Sequence, residues 1–174
     1  FLLSRIKQFL SIDSRTLFYN AYILPYLDYC CVIWGNCSRF LEEKIVRVQK
    51  RAGRLILNKD FDTPSTFLFS QSIWMTFQER VIYQKAIQMY KTLSGTSPNN
   101  LKIPFTFTSD IHSRTLRSSH ETQLYIPKQR IEFLRNTFVF SGSSIWNSIP
   151  DYISNSSNRN LFKVRYLKWY QSSG

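Results

Sequence analysis

The sequence has few of the residues on which several common folds and sites depend. Its 174 residues include five glycines and three cysteines. So few glycines argue against an all-β sandwich, which needs many tight turns. Cys30, Cys31 and Cys37 are odd in number and crowded together, which argues against a disulfide framework and favours a reducing compartment. There is no run of about 18 apolar residues, so the sequence predicts no membrane-spanning segment.

Clusters of carboxylates that could hold catalytic metal ions are also lacking. A two-metal polymerase commonly uses an adjacent pair of aspartates, whereas the only adjacent acids here are Glu42 and Glu43. Asp28 stands alone and fits a helix-surface or capping carboxylate. No acidic residue follows Asp151, which excludes a nuclease site that joins Pro-Asp to a later acid-x-Lys. The cysteines and histidines lack the close, regular spacing of a zinc site. We therefore predict that this segment has no catalytic residue, no metal site and no cofactor of its own.

Positive charge is what the sequence has in excess. Its 23 lysines and arginines against 11 aspartates and glutamates give a formal net charge of +12. The excess lies in residues 1–60 and 111–174, and residues 61–110 are nearly neutral. A chain this basic attracts polyanions, of which nucleic acid and anionic membrane surfaces are the usual examples. We expect a soluble intracellular protein, in the nucleus or cytoplasm. Because it starts at Phe1, we read it as a segment cut from a longer chain, without a signal peptide.

Apolar periodicity predicts a helical region at residues 1–95. The predicted helices cover residues 2–10, 15–34, 39–57 and 76–93. Pro25 removes a backbone donor, so the second of these should be kinked or divided. Thr76 with Glu79 forms a capping box that starts the last of them.

From Thr96 the composition changes to serine, threonine, asparagine and proline, so we place a domain boundary near residues 95–100 and a basic region at 96–174. Residues 123–126 and 137–140 predict two short strands. Short apolar patterns predict helices at 144–148 and 159–170. The expected fold is mainly α, a helical bundle followed by a smaller mixed α+β C-terminal region with two short strands.

The predicted helix at 39–57 carries two stripes at helical spacing. Apolar residues recur three or four positions apart, at Leu41, Ile45, Val48, Ala52 and Leu55. A basic stripe should lie beside them, because its residues recur one position earlier. The basic stripe consists of Lys44, Arg47, Lys50, Arg51 and Arg54. Such a row can follow a phosphate backbone, and the alternative is an ordinary solvated charged face.

A second set of cations lies in the last predicted helix, among aromatic residues that could stack on bases. This set consists of Arg159, Lys163, Arg165 and Lys168. We include these four residues with the basic stripe as candidate nucleic-acid ligands.

Several ordered motifs together resemble a known family. They are Leu17–Pro25, Leu27–Cys30, Val32–Gly35, Val48–Ile56, Pro98 with Leu101, Arg114, and Gly142–Pro150 with its Trp146-Asn147 pair. In order and spacing they resemble the region that follows the palm in non-LTR (LINE-type) retrotransposon reverse transcriptases of the jockey and chicken-repeat group. The resemblance covers most of the chain. Gly53 departs from it, because relatives usually have a slightly larger residue there.

The resemblance implies a role within a larger enzyme, an RNA-directed DNA polymerase. Residues 1–60 would act in the thumb, the helical part that packs on the template–primer RNA and DNA, with the basic stripe facing the phosphates. The catalytic aspartates, the Mg²⁺ ions that they hold, and the palm and fingers would lie upstream in the same polypeptide. This segment alone would then be inactive. The Trp146-Asn147 pair carries over as a marker, and by itself it fits a core tryptophan with a capping asparagine.

Two other interpretations fit the same residues. The chain could be a helical protein–protein interaction module whose basic face binds an acidic partner. It could also be a decayed element without a present function.

Overall fold

The computed structural model describes residues 2–71, 75–111 and 122–173, and their regular structure is helical. The mainly α prediction is therefore confirmed. The chain divides into two compact units, Phe1–Val81 and Ile82–Gly174, here called the N-terminal and C-terminal units. The domain boundary near residues 95–100 rests on composition and stays a prediction. No helix in the described ranges is long and apolar enough to cross a membrane.

Seven helices account for most of the N-terminal unit, and the seventh continues past its end. They are α1 (Leu2–Ile6), α2 (Ile12–Tyr22), α3 (Leu24–Asp28), α4 (Cys31–Trp34), α5 (Arg39–Leu57), α6 (Ser65–Gln71) and α7 (Phe77–Leu93), with a 3₁₀ turn at Lys7–Phe9. The bounds predicted for α5 are confirmed. The helix predicted at 15–34 is divided instead of kinked, first around Pro25 in the opening turn of α3. It breaks again at Cys30, which adopts a left-handed conformation with φ of 52°.

Among the described residues, the core of this unit includes two small apolar clusters and a buried glutamine. Leu3, Tyr19, Ala52 and Ile56 form one cluster, and Cys31, Phe77 and Val81 form the other. Gln49 on α5 is buried beside the first cluster. Burial raises the pKa of Tyr19, and a hydrogen bond with Gln49 partly offsets that rise.

Polar contacts join the ends of these helices. The Arg15 guanidinium donates to the backbone carbonyls of Leu55 and Ile56 at the end of α5, at 3.2 and 2.7 Å. Cations near a helix C-terminus satisfy carbonyls that have no partner within the helix. Asp28 and Arg80 form a two-armed ion pair with both nitrogen–oxygen distances at 2.6 Å. These contacts fix the positions of helices that share only small apolar clusters.

The predicted capping box at the start of α7 is confirmed. The Thr76 backbone N–H donates to the Glu79 carboxylate at 2.7 Å, and the Glu79 N–H donates to the Thr76 hydroxyl at 3.4 Å. Two of the donors that a helix N-terminus leaves without partners are thus satisfied reciprocally. After α7, Gly95 adopts a φ of 74°, the left-handed conformation that favours glycine at a helix end.

The further helices of the C-terminal unit are α8 (Thr108–Ile111), α9 (Glu132–Arg135), α10 (Phe138–Ser148), α11 (Asp151–Ser154) and α12 (Arg159–Ser173), with a 3₁₀ turn at Asn99–Leu101.

Aromatic rings hold the C-terminal unit together. Phe162 of α12 stacks on Tyr90 of α7, with ring centroids 4.6 Å apart, and on Trp146 of α10 at 6.3 Å. Tyr166 continues the stack from Phe162 at 5.9 Å. Its burial raises the pKa of its phenol.

The prediction of two short strands was wrong. Residues 138–140 form the first turn of α10, because Gly142, Ser143 and Trp146 supply a buried helical face that continues their segment. Gly142 lets this helix approach α7 closely, since a Cβ there would lie 2.8 Å from the sulfur of Met89. Residues 123–126 form no strand either, and within the described ranges β pairing is limited to one bridge between Phe107 and Leu124.

Candidate nucleic-acid interface

The basic stripe lies on the side of α5 that faces away from the core. The buried residues of this helix are Gln49, Ala52, Gly53 and Ile56, so its buried face is rotated from the predicted apolar stripe. Leu41 and Val48 of that stripe remain 48% and 38% exposed. At about 100° per residue, the cations are centred opposite the buried face rather than beside it. The predicted arrangement, a buried apolar stripe with the basic stripe beside it, was therefore wrong about which face of α5 is buried.

Four of the five cations line one surface cleft. Lys44, Arg47 and Arg51 are exposed, and Lys50 and Arg54 are half-buried. The basic cleft has a volume of about 760 Å³, and the described residues around it are Arg47, Lys50, Arg51, Arg54 and Phe61. Cations gathered in a concave surface concentrate a positive field, which attracts a polyanion more strongly than the same charges on a convex face.

Arg47 and Lys50 carry charge in the middle of this stripe. Arg47 and Lys50 make no hydrogen bond or ion pair with any other residue that the structure describes. The Lys44 ammonium lies over the Phe40 ring, 4.3 Å from its centroid. Two ion pairs of the N-terminal unit join other residues, Arg39 with Glu43 and Arg80 with Asp28. The charges of Arg47 and Lys50 therefore stay available to an external anion.

Arg54 differs from its neighbours because it holds the loop that follows α5. Its guanidinium donates to the Thr63 carbonyl at 3.1 Å and lies 5.1 Å from the centroid of the Phe61 ring. Its Nε is buried without a hydrogen-bond partner among the residues described. We therefore assign Arg54 a positioning role in addition to its charge.

Phe61 was not predicted as a site residue. Its ring is 85% exposed and stands beside the cations of the cleft. A signal for it exists in the sequence, since Phe61 is a single aromatic residue in the polar run 58–63, where no apolar periodicity gives it a core partner.

The cations of α12 do not form a comparable surface. Phe162 and Tyr166 are buried, and at 100° per residue Lys163 and Arg165 lie on opposite edges of that buried face. Arg165 donates to the Tyr152 carbonyl at 2.7 Å, so it serves the fold of its own unit. Arg159 and Lys168 are exposed. The structure thus brings together the cations of α5 but not these four.

The Trp146-Asn147 pair has a structural role in the C-terminal unit. The Asn147 side chain donates to the Leu124 carbonyl at 2.8 Å and accepts from the Leu124 N–H at 2.9 Å. The Trp146 indole N–H donates to the Thr122 carbonyl at 3.1 Å. The expectation of a capping asparagine was therefore wrong. Asn147 instead binds both backbone groups of Leu124, as a neighbouring strand would.

No group of three or more potential metal ligands comes together in the part of the chain that the structure covers. Cys30, Cys31 and Cys37 form no disulfide among the described residues. The histidines, His112 and His120, and Arg114 from the family resemblance lie outside the described residues.

No protein-family model, curated protein or solved structure matches this chain.

Proposed function

We propose that this chain is a nucleic-acid-binding segment of a retrotransposon reverse transcriptase, covering the thumb and the region after it. The observation that carries the proposal is the basic cleft, which four cations of one helix line and in which Arg47 and Lys50 make no ion pair with a described residue. The identity of the parent enzyme rests on the sequence motifs. Those motifs are the reason to choose template–primer RNA and DNA among the polyanions that such a cleft could bind.

The dimensions of the stripe suit a phosphate backbone. Lys44 and Arg54 are ten positions apart, which corresponds to about 15 Å along a helix. A single strand of B-form duplex places one phosphate per ~3.4 Å along the axis, so this length corresponds to about four phosphates. Arginine adds geometric fit, because its planar guanidinium can bind two phosphate oxygens at once.

The chemistry of polymerisation would belong to the rest of the parent protein. In this proposal the catalytic aspartates, their Mg²⁺ ions, and the palm and fingers lie upstream in the same polypeptide, in the nucleus or cytoplasm. The present segment contributes grip on the template–primer and no reacting group. On its own it should bind nucleic acid and synthesise no DNA.

A binding titration with matched charge variants tests the proposal. Fluorescence anisotropy of a labelled, primed RNA template should show affinity that falls with salt at a log–log slope of roughly −3 to −4. Replacing Arg47, Lys50 and Arg51 by Gln should weaken binding on the order of tenfold or more and reduce the slope by roughly one per lost contact.

The control variant carries the same loss of charge elsewhere. Lys102, Lys128 and Arg130 are exposed cations of the C-terminal unit, and replacing them by Gln should change affinity much less. Equal losses in the two triple variants, both folded by circular dichroism, would show that binding follows net charge and not the cleft.

A protein partner is the second candidate function. The observation that favours it is a set of large exposed apolar side chains between the end of α2 and α4, namely Tyr22, Tyr26, Tyr29 and Ile33. Exposed apolar surface of this kind often marks protein interfaces. In this case an acidic protein should bind the basic face more tightly than nucleic acid does at the same salt concentration. Competition between the template and an acidic polypeptide distinguishes the two functions.

A further inference from the structure

We propose that Phe61 is a stacking platform that makes the basic cleft prefer single-stranded nucleic acid, with an unpaired base lying on its ring. This inference rests on the proposed function, because it requires that the cleft bind a phosphate backbone. It specifies which class of nucleic acid the cleft prefers and which residue is responsible for that preference.

The ring of Phe61 is placed as a binding surface and not as part of a core. It is 85% exposed, although a phenylalanine can bury on the order of 150–250 Å² of surface. Covering this ring would therefore release a large apolar area from water. A flat nucleobase can cover it, and base–aromatic stacking tolerates any sequence because every base has a π face.

The loop that carries Phe61 is held in place before any ligand arrives. Asn58 ends α5 in a left-handed conformation with φ of 51°, and the Lys59 N–H donates back to the Arg54 carbonyl at 2.9 Å. The Thr63 N–H donates to the Asp60 carbonyl at 3.2 Å, and Arg54 holds Thr63 from the side of α5. A fixed platform loses less entropy on binding than a mobile one.

Three cations of this unit lie over aromatic rings. Lys44 lies over Phe40, Arg54 over Phe61 and Lys59 over Phe67, at 4.3, 5.1 and 5.5 Å from the ring centroids. Surfaces that bind single strands combine a positive groove with stacking rings. Arg54 occupies the side of Phe61 toward α5, and the exposed side of the ring remains open for a base.

Duplex nucleic acid cannot use this platform fully. Its bases are paired and stacked inside the helix, so only its phosphates can reach Arg47, Lys50 and Arg51. A single strand can place phosphates on those cations and turn a base onto Phe61. The platform therefore adds affinity for an unpaired segment only, such as a template overhang.

The test compares a short labelled oligothymidylate with a duplex of the same length in anisotropy titrations. Phe61→Ala should weaken binding of the single strand by roughly 5- to 150-fold, the equivalent of ~1–3 kcal/mol for one stacked base. Duplex affinity and the salt slope should change little, because no charge is removed. Phe61→Trp should restore single-strand binding, since it returns a planar ring.

Two controls separate stacking from other effects. Phe133 is an exposed phenylalanine of α9, and Phe133→Ala should leave both affinities unchanged. An oligonucleotide of abasic sugar phosphates should bind wild type and Phe61→Ala equally.

The outcomes also distinguish this inference from the function on which it rests. If Phe61→Ala leaves single-strand binding unchanged while the Arg47, Lys50 and Arg51 variant loses it, the cleft binds phosphates and the stacking platform is refuted. Equal weakening of duplex and single strand by Phe61→Ala would refute it as well. If the triple variant binds like wild type, the proposed function itself fails.

Discussion

The N-terminal and C-terminal units use aromatic rings and cations in different ways. In the C-terminal unit, Tyr90, Trp146, Phe162 and Tyr166 are buried and stacked on one another. In the N-terminal unit, Tyr19 and Phe77 are buried in separate small clusters joined by polar contacts, and Phe61 remains in solvent beside the cations of the basic cleft. A buried ring stabilises the fold through the apolar area that it removes from water, whereas an exposed ring keeps that free energy for a ligand.

The cations of the two units follow the same division. On α5, four of the five cations of the basic stripe share one cleft, so their charge sums at one place. On α12 they are spread around the helix, and Arg165 is engaged by a carbonyl of its own unit. The comparison assigns stability to the rings of the C-terminal unit and binding to the α5 surface of the N-terminal unit.

The largest expected effect contrasts a buried phenylalanine with an exposed one. Phe162 is 0% exposed and Phe61 is 85% exposed. Phe162→Ala should lower the free energy of unfolding by about 3–5 kcal/mol, because it leaves a cavity in the stack. Phe61→Ala should change it by no more than ~0.5 kcal/mol. Urea denaturation of the two variants measures both values, and similar losses would remove the contrast between the units.

The next effect concerns the ion pair that joins α3 to α7 in the N-terminal unit. Asp28→Asn should destabilise by about 1.5–3 kcal/mol, because two charge-assisted hydrogen bonds to the mostly buried Arg80 side chain are weakened. Glu43→Gln is the control, since its partner Arg39 is 92% exposed and such a pair contributes ~0.5 kcal/mol or less. Thermal unfolding of both variants measures the two losses of stability. Equal losses would contradict the conclusion that the Asp28–Arg80 ion pair stabilises this unit.

A third variant tests the polar clamp in the C-terminal unit. Asn147→Ala should destabilise by about 1–3 kcal/mol, because the N–H and carbonyl of Leu124 both lose their partner. Asn160→Ala replaces an exposed asparagine of α12 and should be nearly neutral. Hydrogen exchange should show faster exchange at the Leu124 amide in Asn147→Ala only, and unchanged protection there would exclude the clamp.

The smallest expected effect concerns the start of α7. Thr76→Ala should lower stability by about 1 kcal/mol through loss of the capping box. Ser38 precedes α5, but its side chain makes no capping hydrogen bond, so Ser38→Ala should have a smaller effect. Chemical denaturation resolves the difference, and a larger loss for Ser38→Ala would contradict the geometry of the two caps.

Patterns of local origin were predicted well from the sequence. The bounds of α5 and the capping box of α7 depend on residues within one helix, and the structure confirms both. The two predicted strands failed because four-residue segments carry little information. Residues 138–140 have side chains common in strands, yet the buried helical face that follows them determines their conformation.

The candidate site could be predicted only in part. Spacing predicts the five cations of the basic stripe. It does not predict that Phe61 lines the cleft with four of them, because Phe61 lies in a loop without periodicity. The cations of α12 satisfied the same composition argument without forming a common surface. Spacing reports which residues share a face of a helix, and it does not report which face is buried.

The sequence by itself determined the net charge, the helical character and the row of cations on α5, because each depends on composition or on neighbours within one helix. The tertiary structure decided the rotation of α5, in which Gln49 and Gly53 enter the core while Val48 stays partly exposed. It also decided that Arg54 holds a loop and that Asn147 clamps Leu124. These outcomes depend on contacts between residues far apart in the chain, and helical periodicity carries no information about such contacts.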